Sequence, residues 1–175
     1  MTAAEAEIII KYYADIAGQQ RAIARERMTL DAEYNTLRGN AMAGMPHAAG
    51  NGDKTADMAL KLADTDTNRR LRELDVREDV LKGDKALIRA VLDRLNSRHR
   101  EVLATRYIDG HNWEFTACRV GLSRRQTIRV SVVALTRLGA LLQDEPQAGE
   151  ILARARDARA VYRRGGSFTL NLRGQ

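Results

Sequence analysis

The residues whose types and spacing can do chemistry lie together between Arg98 and Arg129. Ser123 is followed by Arg124, Arg125 and Gln126, then Ile128 and Arg129, while Arg98, Arg100, Arg106 and Arg119 lie just upstream. An arginine guanidinium can bridge O6 and N7 of guanine, and a glutamine amide can bridge N6 and N7 of adenine. The same arginines can grip phosphate. From Phe115 to Leu142 the chain holds no Asp or Glu, which favours a polyanionic partner. These ten residues form the candidate DNA-binding set.

Chemistry of this kind needs a helix held against a scaffold, and the surrounding residues predict one. Asn112 is a favourable N-cap for a short helix from Trp113 to about Val120. Gly121 stands where that helix must stop and the chain reverse. Ser123 can cap a second helix that runs without proline to Asp144, with Pro146 beyond its end. Within it Thr127, Val130, Ala134, Leu135 and Leu138 fall on one side, a stripe expected to pack on Val102, Leu103, Phe115, Ala117, Val120 and Leu122. The other side is left to the arginines. This order of helix, glycine turn and basic helix is the layout of a helix-turn-helix reader of double-stranded DNA, whose first two recognition turns meet base edges. A solvated basic face on an ordinary helix pair is the competing reading, and the agreement of caps, turn and stripes weighs against it.

The stretch from Leu95 to Leu138 also resembles region 4 of the sigma-70 class. The shared elements are Arg100, Val102 and Leu103, then Arg106, Tyr107, Asp109 and Gly110, then Ser123, and finally Ala134, Leu135 and Leu138. Together with Trp113 after the first glycine turn and the segment from Gly44 to Thr55, they resemble the phage-encoded ArpU/RinA-like late-gene transcriptional regulators. The resemblance covers roughly residues 5 to 140 and is strongest after Leu95. Phe115 and Thr116 depart from it, standing where a Glu-Ile pair is usual, and the extension after Pro146 has no counterpart. The resemblance implies a regulator of phage or prophage genes that acts beside RNA polymerase.

Composition agrees with that expectation. The 175 residues carry a formal net charge of +6 and a pI of about 9.8, within the range of nucleic-acid binders. Two prolines and 5% aromatics leave Leu, Ile, Val and Ala in helices to build the core, so an all-α fold is expected. Cys118, the one cysteine, is expected in the core with Trp113, without a disulfide. The absence of a leader, lipidation motif or long apolar run predicts a cytoplasmic protein without a membrane partner. No nucleophile has a recognisable base, and His47, His99 and His111 lack paired ligand spacing, so no enzyme, cofactor or metal site is expected.

Three segments are expected. Residues 1–82 read as a helical hairpin around a glycine-rich loop at 39–54, residues 83–145 as the DNA-binding domain, of which a fragment of residues 85–145 is expected to fold by itself and keep weak DNA binding, and residues 146–175 as a basic tail. In the first, Ile9, Ile16, Ile23, Leu30 and Leu37 repeat every seven residues, while the adjoining row of Tyr13, Gln20, Arg27 and Tyr34 denies a two-row seam. Packing on a helix of the same chain is favoured over a homo-oligomeric coiled coil. The second helix is expected from about Thr55, broken at Gly83-Asp84. In the tail, Ile151, Ala155, Ala158 and Tyr162 suggest a basic amphipathic helix lying along phosphates, and Phe168, Leu170 and Leu172 alternate like a strand. The alternative function is a DNA-packaging subunit similar to a small terminase.

Overall fold

The computed structural model describes the backbone of residues 1–42 and 54–163 and the side chains of residues 1–35 and 64–160. Among the described residues the chain is all helical: α1 (Ala3–Met42), α2 (Lys54–Asp93), α3 (Ser97–Leu103), α4 (Trp113–Val120), α5 (Arg124–Gln143) and α6 (Ala148–Arg163). A π-helical turn over Ala104–Ile108 joins α3 to the segment before α4. No helix among these residues is long and apolar enough to cross a membrane. The alternation at Phe168, Leu170 and Leu172, and His47 in the glycine-rich segment, lie outside the described residues.

The chain divides into two compact units, Gln20–Val80 and a larger one built from Met1–Gln19 and Leu81–Gln175. In the smaller, α1 and α2 lie side by side. Ile23, Leu30 and Leu74 are buried, and Arg27 of α1 bridges Asp75 and Glu78 of α2 at 2.5 and 2.8 Å. The seven-residue stripe is thus buried within the chain at Ile9, Ile16, Ile23 and Leu30. Helix α1 continues through Met42, past the expected loop start at Gly39.

The larger unit differs from the expected segmentation, which separated residues 1–82, 83–145 and 146–175. The expected break at Gly83-Asp84 is absent, because Leu81, Asp84, Ile88, Val91, Leu92 and Leu95 form one buried stripe through it. That stripe outweighs the cost of about 1 kcal/mol that a mid-helix glycine imposes. The start of α1 contributes Ala6, Ile9, Ile10 and Ile16 to the same core as Leu138 and Leu142 of α5 and Ile151 of α6. Gly139 admits this approach: a Cβ built there would stand 2.6 Å from the carbonyl oxygen of Met1. Residues 148–163 of the expected basic tail therefore form a packed helix, with Ile151, Leu152, Ala155 and Ala158 buried and Arg154, Arg156 and Arg159 outside that stripe. Residues 83–145 do not hold the core alone, since its walls come from both ends of the unit.

Candidate nucleic-acid interface

Local hydrogen bonds build the α4–α5 corner. Asn112 caps α4, its Oδ1 accepting from the Phe115 amide at 2.8 Å. Gly121 closes α4 at φ 68°, the left-handed region that other residues enter only at a cost of about 1–2 kcal/mol. Ser123 and Gln126 then form a capping box at the start of α5. The Ser123 Oγ accepts from the Gln126 amide at 3.3 Å, and Gln126 Oε1 accepts from the Ser123 amide at 3.1 Å and from its hydroxyl at 2.9 Å. Polar groups at the buried seam are satisfied in the same local way. Thr116 donates to the Asn112 carbonyl at 2.8 Å, Thr127 to the Ser123 carbonyl at 3.0 Å, and the Ser131 and Tyr107 hydroxyls meet at 3.3 Å.

The inner stripe of α5 is close to the expected one: Thr127, Ala134, Leu135 and Leu138 are buried beside Val102, Leu103 and Ala117, but Val130 is only half-buried, as are Val120 and Leu122, and Ser131 is buried in addition. On α4 the register differs from expectation. Thr116 and Ala117 face inward, whereas Cys118 is exposed, Phe115 is 47% exposed and Trp113 is half-buried. The Asn112 cap fixes where the helix starts, and the Thr116 hydroxyl can be buried because it returns a hydrogen bond to the Asn112 carbonyl. Phe115 stacks on His111 instead, with ring centroids 4.1 Å apart.

The ten candidate residues separate by their surroundings. Arg124, Arg125, Gln126, Ile128 and Arg129 are exposed together on α5, with Ser123 at its mouth. Arg124 pairs with Glu114 of α4 at 3.1 Å, a partner just outside the acid-free stretch. Arg125 and Arg129, like Arg98 on α3, meet no acidic partner among the described residues. Arg100 pairs with Asp93 at 3.2 Å, and Arg119 lies 3.9 Å from Glu101. Arg106 is different. It is half-buried, its guanidinium lies 4.8 Å from the Trp113 ring centroid, and its Nη1 donates to the His111 carbonyl at 2.7 Å. That geometry ties Arg106 to the turn before α4. Trp113 in turn meets Tyr107 edge-on, with centroids 6.4 Å apart.

Sequence reasoning missed three exposed apolar residues of this surface. Val132 is 56% and Val133 54% exposed on the outer side of α5, and Phe115 stands out on α4. The signal for Val132 and Val133 is that they fall outside the Thr127, Val130, Ala134, Leu135 and Leu138 stripe, whereas Phe115 stands among the residues expected in the core. Comparison of the chain with models of protein families, with curated proteins and with solved structures finds no match.

Proposed function

We propose that this chain is a sequence-specific DNA-binding protein that regulates transcription of phage or prophage genes, with α4, the Gly121 turn and α5 acting as a helix-turn-helix. The observation that carries the reading is the outer face of α5. Its first two turns present Arg124, Arg125, Ile128 and Arg129 to solvent, on a helix without one acidic residue, braced from behind by a buried stripe. Arg98, Arg100 and Arg119 extend the cationic surface to the neighbouring helices, where they serve phosphate contacts. The resemblance to sigma region 4 over residues 95–138 supplies the regulatory half of the proposal and suggests RNA polymerase as a partner.

Footprinting of the full chain on phage and host DNA tests it. A protected site next to a promoter, with affinity that falls as salt rises, supports the reading. A site at a packaging origin, bound by a ring of many subunits in light scattering, favours the DNA-packaging alternative. Absence of duplex binding at low salt refutes both.

A further inference from the structure

Arg125, Ile128, Arg129 and Val132 recur at the i, i+3, i+4, i+7 spacing that gathers side chains on one side of a helix, opposite Thr127, Ser131, Ala134 and Leu138. This outer ridge is of mixed chemistry. Two members are guanidiniums with no acidic partner among the described residues, and two are branched hydrocarbons, 36% exposed at Ile128 and 56% at Val132. A surface that only holds phosphate gains from charge and hydroxyls and has no use for hydrocarbon. Base edges in the major groove do use it, because thymine presents a C5-methyl group there while guanine presents two acceptors that fit an arginine fork.

Gln126 narrows the choice further. A bidentate adenine contact needs a free amide oxygen to accept from N6. The Oε1 of Gln126 already accepts from the amide and hydroxyl of Ser123. The ridge therefore offers guanine and thymine chemistry, and the residue suited to adenine is turned back on its own helix. Side chains at this spacing have Cβ atoms about 5–6 Å apart, on the order of one to two base-pair steps.

Resting on the DNA-binding reading above, we propose that the Arg125–Ile128–Arg129–Val132 ridge reads guanine beside thymine in the major groove, with Ile128 and Val132 packed on thymine methyl groups. The charge of the acid-free helix selects the duplex, and the hydrocarbon selects the base.

The full-length protein is used to enrich duplexes from a random-sequence library, and each thymine of the enriched site is then replaced by deoxyuridine, which lacks only the methyl group. The expected site holds thymine next to guanine. One replacement should weaken the wild type about fourfold, as loss of one buried methyl implies. Ile128→Ala or Val132→Ala should bind the thymine and deoxyuridine forms of its own position equally. Both residues are exposed, so circular dichroism should show the variants folded. An enriched site at which no deoxyuridine weakens the wild type overturns the assignment while leaving DNA binding standing, as does an equal loss in wild type and both variants. Variants that bind DNA like the wild type but change the mass measured by light scattering would give the ridge to a second copy of the chain and overturn it too. Failure to enrich any duplex at low salt overturns the DNA-binding reading itself.

Discussion

Arg154 of α6 holds Asp84 of α2 with two nitrogens, Nε at 2.9 Å from Oδ2 and Nη2 at 2.6 Å from Oδ1, across 70 positions of sequence. Asp84 is only 4% exposed, and the Tyr12 hydroxyl of α1 donates to the same Oδ2 at 2.8 Å. Burial opposes the charge on Arg154, yet the hydrogen bonds and charge of Asp84 hold its pKa above the ordinary value. Three helices thus meet on one carboxylate. Arg154→Ala should cost about 3–5 kcal/mol, because it leaves a buried charge without its counterion. Replacing the whole triad by apolar residues should cost much less. Denaturant unfolding of both variants checks the contrast.

Burial, reinforced by the negative charge of Asp84, pushes the Tyr12 hydroxyl well above the ordinary tyrosine pKa. The unfolded chain releases that proton at about pH 10, whereas the folded chain keeps it. The stability from this group is therefore complete below about pH 10 and falls above it, by up to about 1.4 kcal/mol per pH unit. Unfolding midpoints between neutral and strongly alkaline pH should show the decline, and Tyr12→Phe should flatten it.

Two glycines should respond to alanine with opposite signs. Gly83 has nothing within 4 Å of a built Cβ, so Gly83→Ala should stabilise the chain by about 0.5–1 kcal/mol through helix propensity. At Gly139 the same methyl meets the Met1 and Thr2 carbonyl oxygens at 2.6 and 3.2 Å, and Gly139→Ala should destabilise by about 1–3 kcal/mol. Thermal unfolding of the pair decides it. The same packing predicts that residues 85–145 alone unfold at low denaturant, since the cover from α1 and α6 is gone.

Cys118, exposed on α4, should react with a thiol reagent in the native protein at the rate of an unhindered thiol. Cys118→Ser should change stability by less than about 0.5 kcal/mol. Protection of Cys118 until global unfolding would contradict the α4 register.

On the DNA side, Arg125→Ala and Arg129→Ala should each weaken specific binding by about 1–3 kcal/mol where the side chain reads a base. Gln126→Ala should leave base preference unchanged and lower thermal stability slightly, through loss of one arm of the capping box. Binding isotherms over a salt series, with thermal scans of the free proteins, separate the two effects.

What the sequence made legible was local. Asn112 and Gly121 mark the two ends of α4 and Ser123 the start of α5, because a cap or a left-handed residue acts on its own neighbours. The inner face of α5 was legible because 20 residues give a periodic pattern several turns long. Helix α4 has only 8, too few to fix which side faces in, and so Phe115 and Cys118 were assigned to a core they do not enter. The Asp84 triad and the Met1–Gly139 contact were illegible for another reason: amphipathic spacing tells that a side chain is buried, never which distant partner buries it.

The presence of the start of α1 and of α6 in one unit has a kinetic side. Glu5 and Arg156, which pair at 2.9 Å, are separated by 151 positions. At a synthesis rate of about 5–20 residues per second, roughly 8–30 s pass between the appearance of one and of the other. Through most of that interval Ile9, Ile10 and Ile16 have no α6 or distal α5 to cover them. The first turns of α1 are thus a nascent-chain liability, and folding of the larger unit is a late event that awaits the last helix rather than a process that follows the order of synthesis.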